Sequence, residues 1–166
     1  MNPVLRHLFA ILSLPFMVIV VIPIIILSRS GFPIHISIAS LIAGIGLIVL
    51  GWVLMYQTIA LFVTVGKGTL APWMPTQKLV VRGIYRHVRN PMISGVSCVL
   101  LGESSLFGSF PLSLWFLFFL LLNMIFIPIV EEPGLEKRFG NDYRLYKENV
   151  PRWVPRLTAW TPPFDL

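Results

Sequence analysis

Apolar residues run almost unbroken over 8–27, 34–64, 91–104 and 110–130, and polar residues gather between these runs and after the last. A run of about 20 apolar residues is what a helix needs to cross a hydrocarbon core of roughly 30 Å. The pattern predicts an all-α membrane bundle of four transmembrane helices with an amphipathic helical tail over 131–166. The first run has no small-residue cleavage site and is read as a retained helix, bent at Pro15 or Pro23. The second run overshoots the core at about 1.5 Å per residue, so it should tilt or project into the interface. The third is short, centred on Met92 to Leu101, and is expected to break at "GESSLFGS".

Composition agrees with that pattern. Of 166 residues, 56% are hydrophobic and only 12% charged, far from the balance of a soluble domain. No stretch is left for a separate soluble catalytic domain, so residues 1–166 are read as one membrane domain whose chemistry sits in its loops and tail. The net charge of +6 does not form a nucleic-acid face, because the basic residues mark topology instead. Lys67, Lys78, Arg82, Arg86 and Arg89 follow the second run, and Lys137, Arg138, Arg144, Lys147, Arg152 and Arg156 follow the fourth. Only Arg29 lies between the first two runs, and only Glu103 between the last two. An even number of crossings then puts both termini and both basic segments on the cytoplasmic side, in keeping with Arg6 and His7. Cys98 is the single cysteine, an inert packed thiol with no disulfide partner. His7, His35 and His87 lack ligand spacing, so no metal site is expected.

The candidate chemistry lies at the edges of the runs. Ser40, Gly44 and Gly51 share a face of the second helix and invite a close neighbour. Tyr56, Gln57 and Thr58, near its cytoplasmic end, suit either a pocket wall or the headgroup layer. In "GIYRHVRNPMISG", Pro91 fits the first turn of a helix and Asn90 its N-cap. That helix start, flanked by Arg86, His87 and Arg89, offers an anion site, and Gly95 lets a ligand or a helix approach. Glu131 and Glu132 end the fourth run, where a carboxylate pair requires a polar cavity, cationic partners or a cationic ligand. Pro133 should bend or restart the helix, and Asn141 or Asp142 could cap a last short one. Phe139, Tyr143, Tyr146 and Val150 share one face of the tail, predicting an interfacial element able to act as a lid. Trp153 and Trp160 fit an interfacial belt.

Four blocks, "LVVRGIY", "RNPMISG", "EE" and "FGNDYRLYKENVP", fall in order over roughly Gly66 to Arg156. Together they resemble the membrane methyltransferases related to isoprenylcysteine carboxyl methyltransferase and to phospholipid N-methyltransferases. Asn90 stands where the prenylcysteine enzymes carry histidine, and Ile93 where they carry tyrosine. The resemblance implies S-adenosylmethionine as methyl donor, bound at the cytoplasmic interface, and an amphiphilic acceptor, a lipid or prenylated small molecule, entering from the bilayer. His87, Arg89 and Asn90, with the start of the helix at Pro91 and Gly95, would hold the donor carboxylate. Glu131 and Glu132 would balance its ammonium and sulfonium, and Tyr85, Tyr143 and Tyr146 would cover the adenosine or close the lid. Arg89 or Arg152 would orient a carboxylate acceptor, and Glu131 or Glu132 would keep an amine acceptor neutral. Membrane sterol reductases, which use a nicotinamide cofactor, share part of the signature. A non-enzymatic membrane adaptor, with the charges as interhelical glue, is the third reading.

Overall fold

The computed structural model describes residues 14–31, 37–66 and 78–163. Arg6, His7, His35, Lys67 and the outer ends of the first two expected runs, 8–13 and 34–36, lie outside the described residues. All regular structure among the described residues is helical. A π-turn at Met17–Val21 leads into α1 (Ile22–Ser30). Then come α2 (Ile38–Thr64), a 3-10 turn (Gly83–Arg86), α3 (Pro91–Phe107) and α4 (Phe110–Phe126). A second π-turn, Ile127–Glu131, joins α4 to α5 (Glu132–Asn149). Two helical segments are long and apolar enough to cross a membrane, Ile38–Thr64 and Phe110–Asn149, the second kinked at Gly140 (φ 57°), while Leu14–Ser30 and Pro91–Phe107 are shorter apolar helices.

Proline chemistry explains both π-turns. Pro23 has no N–H to give the preceding turn, and the amide of Ile22 reaches back five residues to the Met17 carbonyl. Val18 therefore loses its helical partner, and the Trp115 indole of α4 donates to its carbonyl at 3.1 Å. The bend expected near Pro23 is thus a local change of hydrogen-bond register that also ties α1 to α4. Pro128 and Pro133 bracket the second π-turn in the same way, with the Glu132 amide bonded to the Ile127 carbonyl.

The tightest packing joins α2 to antiparallel α3, and glycine makes it possible. A Cβ on Gly51 would lie 2.5 Å from the Gly95 carbonyl oxygen, and one on Gly95 would lie 2.9 Å from that of Gly51. Gly44 and Gly102 repeat the arrangement seven residues away on each helix, at 2.8 and 2.7 Å. Backbones this close are the membrane route to helix association, since lipid gives apolar side chains no reason to leave it. The Gly44–Gly102 contact also corrects the expected break at "GESSLFGS": α3 continues through that segment to Phe107 and ends only at Gly108, whose φ of 55° is left-handed. Below this crossing, Ile19, Met55, Met92, Val96, Val99 and Leu100 form the buried core, covered by Trp115, Phe116 and Phe119.

Candidate active site

In the polar segment after α2 the chain turns tightly at Gly83, φ 54°. The turn places Tyr85 inward, against Phe62 of α2 with ring centroids 5.6 Å apart. From there to Asn90 the loop lies alongside the chain that follows α5. Arg89 donates its amide to the Pro151 carbonyl, Arg156 donates to His87, and Trp160 donates to Arg86, each at 3.0 Å. Side chains reinforce the pairing. Arg86 Nε donates to the Trp160 carbonyl and its Nη2 to the Thr161 hydroxyl. His87 Nδ1 lies 2.8 Å from the Arg156 carbonyl, and Asn90 Nδ2 donates to the Arg152 carbonyl at 3.3 Å.

α5 closes the other side. Tyr143, Tyr146 and Val150 are buried with Val81, packed by Leu79, Leu135, Phe139 and Trp160. The Tyr146 hydroxyl donates to the Tyr85 carbonyl at 2.7 Å. This face, expected as an interfacial element able to act as a lid, packs on the chain's own loop and tail, the contacts that a lid would make. Trp160 stands against Tyr146, ring centroids 5.9 Å apart. Burial pushes the Tyr85 and Tyr146 hydroxyls well above the usual tyrosine range. Tyr143, buried and beside Glu132, is pushed up to about 12.

Glu132 is the hub of the site. Only 2% of it is exposed. Arg152 grips it with both arms of its fork, Nε to Oε1 at 2.6 Å and Nη2 to Oε2 at 2.9 Å. Arg89 Nη1 donates to Oε1 at 2.9 Å, and Lys147 Nζ stands 3.5 Å from Oε2 while bonding Glu136 at 2.9 Å. Burial by itself would raise this carboxyl. The Arg152 hydrogen bond and the charges of Arg89, Arg152 and Lys147 outweigh it and hold the group below the usual range. The same hydrogen bond pushes Arg152 further up. One carboxylate thus meets three cations, and Arg89, with 8% of its side chain exposed, keeps a buried Nε without a partner.

The neighbouring Glu131 behaves differently. It is exposed at the end of the π-turn, and no ion pair joins it to a cation among the described residues. Asn90 holds the N-cap position and Pro91 the first turn, as expected, but no side-chain cap bond forms because the amide is turned to Arg152. Of the two neighbours expected at Gly95, a ligand or a helix, the one that approaches is the helix: α2 fills the space beside its Cα. Lys147 was not foreseen as a site residue, and Arg86, expected beside the helix start as part of an anion site, is fastened to the Trp160 carbonyl and the Thr161 hydroxyl. A partner that is a backbone carbonyl seventy-four positions away leaves no mark in a sequence, and the kink at Gly140, between Glu136 and Lys147, keeps that pair from being read off helix periodicity.

A cavity of about 500 Å3 lies on the other flank of the same loop, lined by Gln57, Gly83, Ile84, Arg86, His87, Pro155 and Ala159. Of the three polar residues near the end of α2, Gln57 borders this cavity, Thr58 is fully buried and Tyr56 points outward, 75% exposed.

The phospholipid methyltransferase family matches residues 39–142, from the first turn of α2 through the loop and the Glu pair into α5. The chain is also similar to a protein-S-isoprenylcysteine O-methyltransferase of Schizosaccharomyces pombe (strain 972 / ATCC 24843), 38% identical over 81 residues. That match covers 48% of this chain and 34% of the relative, so the chain spans about a third of the length of the curated protein it matches. No solved structure matches the chain. With the family's match extending over well more than half of the sequence, and with helices able to cross a membrane carrying the site, this chain belongs to the phospholipid methyltransferase family.

Proposed function

We propose that this chain is an S-adenosylmethionine-dependent methyltransferase that acts on an amphiphile reaching the site from the bilayer. The observation that carries the reading is the set of three cations, Arg89, Arg152 and Lys147, around the one buried carboxylate of Glu132, with the buried Arg89 Nε left over. A carboxylate such as the donor's methionine end is the group that such a remainder would hold, through charge-assisted hydrogen bonds. The unmatched carboxylate of Glu131, one residue from this cluster, suits the donor's ammonium or sulfonium. Asn90 orients the Arg152 backbone, and Tyr85, Tyr143 and Tyr146 build the wall between loop and α5.

When bound, the donor supplies a methyl group already activated by the sulfonium charge. The chain's task is then to hold the acceptor in line with that methyl and to keep water out. Arg89 and Arg152, fixed by Glu132, are preorganised donors, and the buried tyrosines supply the dry wall. We further propose four membrane crossings with both ends and the site on the cytoplasmic side, which the clustering of basic residues supports.

Calorimetric binding of S-adenosylhomocysteine to the purified chain in nanodiscs tests the donor site. Wild type should bind, and Glu131→Gln should weaken binding about tenfold or more, the scale of one lost hydrogen bond to a charged group. A folded, monodisperse wild-type sample that does not bind would sink the reading.

A further inference from the structure

At the end of the bundle away from Glu132, α1 and α4 enclose a cavity of about 380 Å3 lined by Ile25, Ile26, Arg29, Ser30 and Pro111. Pro111 stands twenty residues before Glu131 on one helical run, about 30 Å away at 1.5 Å per residue. Arg29 and Glu103 are the charged residues of α1 to α4. An ion pair between them would lower the cost of keeping both beside hydrocarbon. Neither joins an ion pair among the described residues, and a buried oxygen of Glu103 has no hydrogen-bond partner. The Arg29 charge is therefore open at the cavity it lines. The other polar group there is committed, since the Ser30 hydroxyl donates to the Ile26 carbonyl at 2.8 Å. No carboxylate lines the cavity, and Pro111 has no N–H to give. One guanidinium beside apolar walls is the whole of its recognition chemistry.

That chemistry discriminates among anions. A single exposed cation holds a free ion such as phosphate weakly, because water and salt screen it. An anion that carries acyl chains is different. The bilayer itself holds it at the depth of Arg29, and its chains can lie on the apolar surface of α1, where Ile24 and Ile25 are 60% and 49% exposed. Ile25 and Ile26 lie four and three residues before Arg29, so an apolar wall runs from the hydrocarbon to the cation on one helix face. The guanidinium fork matches two oxygens of a phosphodiester. A headgroup with an added ammonium would bring a second charge that meets no carboxylate here. Arg29 also stands in the last turn of α1, where its charge suits the helix C-terminus, and that role does not require the cavity.

We propose that this cavity binds an anionic phospholipid, whose phosphodiester pairs with Arg29 while an acyl chain lies along Ile25 and Ile26. The bound lipid bridges α1 and α4 at the end of the bundle opposite the Glu132 cluster, adding to the bond between Trp115 and Val18. The inference needs α1 in the bilayer but no methyl donor, so it stands apart from the reading of the active site.

Native mass spectrometry of the purified full chain, released from detergent with dioleoylphosphatidylglycerol, dioleoylphosphatidylcholine or inorganic phosphate, resolves each bound molecule and gives its dissociation constant. Wild type should bind its first phosphatidylglycerol about fivefold or more tighter than phosphatidylcholine, the scale of one cation near anionic headgroups, and should retain no inorganic phosphate. Arg29→Gln should weaken that first binding by the same factor, and Arg29→Lys should recover part of the loss. Ser30→Phe, which keeps Arg29 and fills the cavity, should lose the tight site as well. Arg144→Gln, on the exposed face of α5, should leave it unchanged, and circular dichroism checks that every variant is folded. Equal affinity for the two lipids would overturn the inference, as would tight binding that survives Arg29→Gln. Tight binding that survives Ser30→Phe would overturn it too, because Arg29 would then meet headgroups outside the cavity. Inorganic phosphate held as tightly as the lipid would put the free anion in the site and sink the lipid assignment.

Discussion

Glu132 shows how much a single buried carboxylate can organise. With 2% exposure and three cationic neighbours, it converts what would be a costly burial into a joint between the loop at Arg89, helix α5 and the segment at Arg152. Taking away one partner of such a group leaves the others buried and unpaired, at a cost of about 3 kcal/mol or more. Glu132→Gln should therefore lower the thermal unfolding temperature of the purified chain at neutral pH as well as weaken donor-product binding. The pH dependence has a definite sign. Because the folded-state carboxyl is depressed, its contribution is complete above the unfolded value of about 4.3 and is lost as pH falls through the folded value. The gap in unfolding temperature between wild type and Glu132→Gln should shrink as the sample is acidified below about pH 4. A constant gap would show that the carboxylate charge is not what matters. At the alkaline end, Tyr143 is raised to about 12, so its contribution is complete below about 10 and is lost as pH rises toward 12. Tyr143→Phe should flatten that alkaline decline.

Between elements, the contest is between helix propensity and space. Glycine is a poor helix former, by about 1 kcal/mol against alanine, so a glycine in a membrane helix calls for a reason, and the reason differs from one to the next. Gly51 faces the Gly95 backbone, whereas Gly46 has nothing within 4 Å of a Cβ. Gly51→Ala should destabilise by about 1–3 kcal/mol, because neither backbone can yield without separating α2 from α3. Gly46→Ala should be neutral or slightly stabilising. Thermal unfolding in detergent distinguishes the two, and equal shifts would contradict the packing account. This crossing was legible in advance in half of its parts. The spacing of Ser40, Gly44 and Gly51 announced a close neighbour, but not which helix it would be. Gly102 was read as the start of a break, since glycine and serine in sequence look like a turn. Its contact with Gly44 turns the same residue into a packing position, so tertiary contact overrode the local signal. Likewise Pro23 and Pro133 announced bends, while the π-turns and the Trp115 bond that use them depend on neighbours no local window contains.

At the scale of the molecule, the loop and the Glu pair were both legible as candidate chemistry because charge beside long apolar runs is expensive and conspicuous. Their partners were not. Arg89 and Glu132 are forty-three positions apart, and Arg152 is a further twenty beyond Glu132. The tail was legible as amphipathic, yet its apolar face could have met lipid or protein with the same pattern. It meets Val81 and Trp160. The proposed topology makes its own prediction: reporter fusions to both ends should read cytoplasmic, and an outward report from either would separate the basic segments and dismantle the single-sided site.

The pairing of Arg86, His87 and Arg89 with residues 151–160 has a further consequence, in the timing of biosynthesis. The loop is made early, and the strand of chain it needs arrives some seventy residues later. Every helix described here is complete before Pro151 leaves the ribosome. Insertion and bundle packing can therefore finish while Arg89 still lacks the Pro151 carbonyl and Glu132 still lacks Arg152. A chain stopped after Asn149 should enter the membrane, keep its α2–α3 crossing, and bind no S-adenosylhomocysteine. The nascent protein would be an inert helical bundle until residues 150–161 fold back, so the proposed donor would be captured only once that stretch has been made.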